Sequence, residues 1–590
     1  MLKLVLGASG SGKTTLLYAR IRARAEAGKR SILLVPEQFT SSTEARIYRE
    51  LGDALSGMVE SYSFTSLAEH ILAVEGGAAV QTLTDAGRAV LVRRALEELQ
   101  DNVHYYYRHR RSAAFCQMAA ETIDELKSAG LSGQQLQELA RDCGTESAKL
   151  GELALIFQGY ESLLAGTGMD PADRLELAAD RLEAALARDE LPDFLQEREV
   201  FIDEFDTFNA PKKRLMGAML AALPAVTVAL CEDGAPMQPG DLELFSGAKQ
   251  VAAQLRQLAR KNGAQVAAPE LLRRDLRHKD APGLAALTEL LETGSCTPPE
   301  SAPELRLFAA ASREEEARCA AAAIRRLMRQ GVHCGKIAVV CRDISLYRAA
   351  VRYEFRMAEI PLYCDEPTTP EFSAPATAVR ALLALLRGAD MTEQLTVLAK
   401  TGLCALTEPE VCALENYAYT WSPNAAAWRA EFTKSPRGFG DAELTEEDVQ
   451  NLTRAENARK KLVTAVDTLR SKVRSANAEQ ISRALYFCLK ELGAEEQQAA
   501  QVEDIRAARG IPAAEEAARE WNVVMQLLDE MARLLGSQGI TVPEYEDLFS
   551  LLLRSSDLGH IPQTLDAVVL ASAGKMRLDA PDYVFVLGLA

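Results

Sequence analysis

Leu2-Lys3-Leu4-Val5-Leu6-Gly7-Ala8-Ser9-Gly10-Ser11-Gly12-Lys13-Thr14-Thr15 stands at the start of the chain, and its reading decides the fold. Leu2 to Leu6 is a short apolar run that predicts a strand. A turn of glycine and serine follows, then helix-forming residues from Thr14 to about Ala27. Gly7-x-x-x-x-Gly12-Lys13-Thr14 fits the phosphate-loop pattern at every defined position. Ordinary composition gives about 0.02 such matches by chance in a chain of this length. Glycines let backbone N–H groups turn inward around a phosphate, and the helix behind the loop adds its positive end. Lys13 would neutralise the β and γ oxygens, and the Thr14 hydroxyl would ligate Mg²⁺. The pattern predicts ATP binding by Gly7, Ala8, Ser9, Gly10, Ser11, Gly12, Lys13, Thr14 and Thr15.

Gly28 ends the helix, and Ser31 to Val35 reads as a second strand, which completes a βαβ unit. From about residue 66 to 195 the pattern turns helical, with Thr84 placed to cap one of the helices. Strands return at Val200 to Asp203 and at Val226 to Leu230. The first of these runs into Asp203-Glu204. In a phosphate-loop domain such an aspartate holds Mg²⁺, and the glutamate beside it polarises the attacking water. Taken alone, a strand ending in two solvated acids is an equally good reading.

Thr297-Pro298-Pro299-Glu300-Ser301-Ala302-Pro303 reads as a linker. A second α/β lobe follows, with strands expected at Leu305–Phe308, Ile337–Val340, Ala567–Leu570 and Tyr583–Leu587. Arg342, just past one of these strands, is placed to meet a γ-phosphate from the far lobe, although a surface arginine is the plainer reading. The expected organisation is a first lobe of residues 1–65 with 196–296 and a second of 304–391 with 555–590. Helical insertions of 66–195 and 392–554 interrupt them. The chain stops at Tyr583-Val584-Phe585-Val586-Leu587-Gly588-Leu589-Ala590, a buried-strand pattern with no polar exit. That predicts a piece of a longer protein.

The 590 residues carry a formal net charge of -18, so any contact with DNA must rest on a local basic channel rather than on overall charge. The eleven cysteines include no C-x-x-C spacing and read as reduced thiols of a cytoplasmic protein. No run approaches the length of a membrane span. Tyr105-Tyr106-Tyr107-Arg108-His109-Arg110-Arg111 interleaves rings with cations, the mixture that binds single strands. Tyr106, Arg108, Arg110 and Arg111 are therefore candidate DNA contacts, against the plainer reading of an exposed charged loop.

Taken in order, these pieces resemble a superfamily 1 helicase motor, and within that class the B subunit of the bacterial AddAB (RexAB) helicase–nuclease. The resemblance runs from the phosphate loop through Leu34-Val35-Pro36-Glu37-Gln38, Ser63-Phe64-Thr65-Ser66-Leu67-Ala68 and Phe201-Ile202-Asp203-Glu204-Phe205. It continues with Ser312-Arg313-Glu314-Glu315-Glu316, Ile337 to Arg342 with Ile360-Pro361-Leu362-Tyr363, and Ser572 to Arg577 leading into Val584 to Gly588. It implies two RecA-like lobes, each with a helical insertion, and a subunit of an ATP-dependent DNA helicase/exodeoxyribonuclease acting in double-strand-break repair. It implies Lys13, Asp203, Glu204 and Arg342 as the catalytic set, Thr14 and Asp203 as Mg²⁺ ligands, and Gln38 beside the DNA path. The implied partners are DNA ends, single strands and an AddA-type subunit. The nuclease domain and iron–sulfur cluster of such subunits would lie beyond residue 590.

The chain departs from active motors at three places. Asp206 stands where D-E-x-Q has glutamine, Leu230-Cys231-Glu232-Asp233-Gly234 replaces a G-D-x-x-Q tract, and Ala573-Gly574-Lys575 replaces A-K-G. These losses fit a second reading, a scanning scaffold that binds DNA without hydrolysing ATP. A small-molecule kinase would account for the phosphate loop but not for the second lobe or the insertions.

Overall fold

The computed structural model describes residues 1–77, 83–235, 244–364, 369–440, 443–536, 539–556, 558, 566–574 and 581–589. Leu2–Gly7 forms β1, and its side chains alternate between two cores. Leu2, Leu4 and Leu6 enter one, and Val5 enters the other. This two-sided burial is what a strand inside a parallel sheet needs. Five more strands join it: β2 (Ser31–Leu34), β3 (Val59–Tyr62), β4 (Glu199–Ile202), β5 (Ala225–Cys231) and β6 (Glu270–Leu272). The order is β3-β2-β4-β5-β1-β6, and every pairing is parallel. One strand, β5, thus separates the phosphate-loop strand from the acidic strand. Helices Phe64–Glu75 and Pro171–Ala187 contribute Leu67, Ile71, Ala178 and Leu182 to the first of the two cores.

A second parallel sheet has the order β10-β7-β9-β8, from β7 (Ile337–Cys341), β8 (Leu362–Cys364), β9 (Val568–Ser572) and β10 (Tyr583–Leu587). The strand expected at Leu305–Phe308 is not formed. Those residues pair with no strand, and Leu307 is 93% exposed. Their apolar alternation is real, but no sheet edge is pressed against it. β10 forms where expected yet is not buried. It is an edge strand, and Tyr583, Val584 and Val586 are open to solvent.

The two long helical stretches share one core. Leu91, Phe115, Phe157 and Tyr160 from the first pack in the same cluster as Leu382, Trp428, Leu485 and Phe549 from the second. Each such fully buried side chain stabilises by about 1.5–3 kcal/mol. Thr84 caps helix Asp85–Glu98 as expected, accepting from the Gly87 N–H, and its hydroxyl donates to Glu530 of the second stretch. All eleven cysteines are free. Among the described residues no helix is long and apolar enough to cross a membrane.

Candidate nucleotide-binding site

β1 ends in the phosphate loop, and the loop ends in helix Lys13–Glu26. Gly12 caps that helix at φ 89 without a side-chain hydrogen bond, so the N–H groups of its first turn stay available to an anion. Gly10 is also left-handed, at φ 81. A Cβ there would come within 2.9 Å of both the Asp275 carboxylate and the Arg277 Cβ. Only glycine meets both demands.

The Lys13 ammonium donates to the carbonyl oxygens of Gly7 at 2.7 Å and Ala8 at 2.8 Å. It is folded onto the loop, within reach of any phosphate the loop holds. Burial pulls its pKa below the usual lysine range, while Cys231 and Asp203 pull the other way. Among the described residues the buried Ser11 hydroxyl has no hydrogen-bond partner, an orphan polar group inside the loop. Thr14 is half-buried behind Lys13, and Thr15 is exposed.

Asp203 follows β4 directly, is 5% exposed, and donates its N–H to the Leu34 carbonyl. Its carboxylate accepts from the Glu204 N–H at 3.0 Å. Glu204 adopts φ 70, a left-handed conformation that costs a non-glycine residue about 1–2 kcal/mol. Lys13 senses both acids electrostatically. The structure therefore brings Lys13, Asp203 and Glu204 to one edge of one sheet. These residues fit a Mg²⁺–nucleotide: an open helix N-terminus and Lys13 for phosphates, with Thr14 and Asp203 for the metal.

One cation at this site reads from the sequence only as part of a basic run, a weak nucleic-acid signal and more plainly a solvated face, and not as a nucleotide contact. The segment Asp275–His278 lies along the loop, where the Leu276 N–H donates to the Gly10 carbonyl at 3.0 Å. The Arg277 guanidinium donates to the Ser9 hydroxyl at 3.2 Å. Asp275 accepts from the Arg277 and His278 backbones and pairs with the His278 ring at 2.8 Å, which holds the segment in shape. In the sequence Arg277 sits among Arg273, Arg274 and Lys279 and reads as part of a basic run. Only the short strand β6 delivers it to the loop.

Arg342 follows β7 and is exposed, with its carbonyl accepting from the Ser572 hydroxyl. None of its described contacts reaches the loop. Gln38 falls in the turn Glu37–Phe39 after β2, and its side chain lies outside the described residues, as do Lys575 to Arg577. At the end of β5, Glu232 is buried and donates its N–H to the Gly7 carbonyl, while Asp233 pairs with Lys249 at 3.1 Å. The tract that departs from active motors is thus tied into the fold. Tyr106, Arg108, Arg110 and Arg111 lie in the helical body. Glu152 pins their segment by accepting from the N–H groups of His104, Tyr105 and Tyr106 at 2.7, 2.6 and 3.0 Å. The Tyr106 ring turns inward onto Phe115 at 5.0 Å, whereas Arg110 stacks on Tyr107 at 3.6 Å.

Sheet, loop and acidic strand end define an α/β protein with a phosphate loop at the edge of a parallel sheet. Residues 4–288 match the family described as ADDB, N-terminal. The whole chain is similar to proteins named as the B subunit of an ATP-dependent helicase/deoxyribonuclease. It is 30% identical to that of Moorella thermoacetica, 29% to that of Desulforudis audaxviator and 28% to that of Heliobacterium modesticaldum. All of this chain is covered in each case, against 52%, 52% and 50% of the relative. The chain spans about half the length of the curated relatives it matches.

Proposed function

We propose that this chain is the ATP-binding, helicase-like part of one subunit, the B type, of a helicase–nuclease that processes DNA double-strand ends for recombination. It would work with an AddA-type partner. Both sheets are taken as RecA-like lobes, 1–65 with 196–296 and 304–391 with 555–590, with helical insertions of 66–195 and 392–554 between them. The observation that carries the reading is the convergence of Lys13, Asp203, Glu204 and Arg277 on one uncapped helix N-terminus. Bound Mg²⁺ would supply Lewis-acid stabilisation of the phosphates. Lys13 and Arg277 would neutralise phosphate oxygens, Thr14 and Asp203 would hold the metal, and Glu204 would orient a water. Arg342 would complete the charge from the second lobe, and Gln38 would border the DNA path.

A second reading, nucleotide binding without turnover by a scanning subunit, is favoured by one observation. Asp206 is exposed and negative where active motors carry glutamine. ATP turnover with and without single-stranded DNA, with Lys13→Ala as control, separates the two. Turnover that rises with DNA and vanishes in the variant supports a live motor. Binding without turnover, in the chain and again with its partner, supports the scanning role.

A further inference from the structure

The strand-like residues 305–308 rest against the start of helix Pro282–Thr293. Glu304 accepts from the Gly283 N–H, and the Leu305 N–H donates to the Ala302 carbonyl at 3.1 Å. The fit is close: a Cβ on Gly283 would meet the Ala302 Cβ at 2.5 Å and the Leu305 Cδ1 at 3.1 Å. That helix follows residues 275–278 directly, and the Ala281 N–H donates to the His278 carbonyl at 3.0 Å. Leu305, Leu307 and Phe308 are nevertheless all exposed, so this resting place buries little of their apolar surface.

A second place stands open. Among the described residues β10 pairs with β7 alone, and Tyr583, Val584 and Val586 are exposed along it. An apolar edge of this kind is a template for one more strand. The order of the chain says which strand belongs there. Helices Arg313–Arg329 and Ile344–Met357 cover one face of the sheet: Ala317, Ala321 and Ile324 share a core with Tyr347, Val351 and Phe355 over Ile337, Val339 and Leu587. The second of these helices carries the chain from β7 to β8, stepping away from β10. Crossovers between parallel strands are right-handed in nearly every sheet, so two crossover helices on one face step in one direction. The strand that feeds helix Arg313–Arg329 into β7 therefore belongs on the β10 side of β7. β10 fills the adjacent place, which leaves its open edge. Residues 305–308 feed that helix through the short turn 309–312. The helix also starts where a strand parallel to β10 would deliver the chain, because the Gly588 N–H, just past β10, donates to the Glu316 carboxylate at 2.8 Å.

We propose that residues 305–308 form a switch strand with two docking places. One is the start of helix Pro282–Thr293, where this structure holds it. The other is the open edge of β10, where it pairs in parallel and extends the second sheet. In that second place Leu305 and Leu307 turn under helix Arg313–Arg329 beside Phe585, which is only partly buried now. Arg306 and Phe308 then lie beside Val584 and Val586 on the opposite face, because a strand alternates its side chains. Moving from the first place to the second releases Glu304 from Gly283 and takes one tether off the helix that follows residues 275–278. One short segment thus links the two sheets. The docking uses no residue of the nucleotide site and does not rest on the function proposed above.

The test is disulfide trapping in the full chain, with diamide as oxidant and peptide mapping to separate the engineered bond from the native thiols. Leu307, Phe308, Val584 and Val586 are exposed, so a cysteine at any of them leaves the core intact. Phe308→Cys is combined with Val586→Cys and, two residues along the same face, with Val584→Cys. The faster of these pairs is expected to cross-link at least tenfold faster than Leu307→Cys with the same partner, since only one of two neighbouring strand residues reaches across on a given face. Equal rates at positions 307 and 308, or no cross-link at either, would overturn the proposal. Phe308→Cys with Tyr353→Cys is the control for random collision, because Tyr353 is exposed on helix Ile344–Met357 over the other face. A cross-link there as fast as the one to β10 would show a free segment and overturn the proposal as well.

Discussion

Replacing Gly10 by alanine tests the loop geometry through two independent costs. The residue sits at φ 81, and an L side chain there costs about 1–2 kcal/mol. The added Cβ would also stand 2.9 Å from the Asp275 carboxylate and from the Arg277 Cβ, so the Asp275–His278 segment must move. Moving it breaks the hydrogen bond from Leu276 N–H to the Gly10 carbonyl, worth about 1 kcal/mol. The sum, about 2–3 kcal/mol, falls on the conformation that binds phosphate. It predicts a loss of about 30- to 150-fold in nucleotide affinity. Gly28→Ala is the matched control. Its φ is 74, but no atom lies within 4 Å of the new Cβ, and it is remote from the loop. Titration with a fluorescent ATP analogue, alongside thermal melting, separates the two. Equal nucleotide affinity for Gly10→Ala and wild type would refute the geometry. A similar loss in Gly28→Ala would show that general destabilisation, not loop shape, is being read.

Arg277→Ala is expected to weaken ATP binding about five- to tenfold and ADP binding less, as one exposed charge-assisted contact to the terminal phosphate would; the ratio of the two affinities checks this. Asp203→Asn should abolish the Mg²⁺ enhancement of ATP binding while leaving metal-free binding nearly unchanged, measured by titration with and without chelator. A third test uses pH. Burial, with Glu516 nearby, raises the Glu520 carboxyl to about 6, against 4.5 for an ordinary glutamate. Between those values the folded chain holds more protons than the unfolded chain, so stability falls as pH rises through the window. The group is partly open to water, which limits the penalty above pH 6 to about 1 kcal/mol. Glu520→Gln should raise the melting temperature at pH 7.5 and leave it unchanged at pH 4.

The geometry of the candidate site was legible where its residues are local in sequence. Gly7 to Thr14 and Asp203-Glu204 each carry their proposed role in a few adjacent residues, and the parallel sheet brings the two together. Arg277 was not legible, because its place depends on β6, a three-residue strand with two exposed positions and no apolar run to mark it. Leu305–Phe308 shows the opposite failure. Its alternation is that of a strand, but pairing needs a partner edge, which a local pattern does not specify. The helices were legible from period and caps, yet not their shared core. An amphipathic stripe says that a face is buried, not against what. The seam between the two stretches therefore appears only once Arg93, Arg110 and Glu544 are seen in contact.

The central claim is that the loop at the end of β1 binds a Mg-nucleotide through Lys13. The most direct test is isothermal titration of Mg-ATP into the chain and into Lys13→Ala. Saturable binding at one site by the wild type, weakened at least tenfold in the variant, is the predicted result. Absence of binding to the wild type, or equal binding to both, would contradict it.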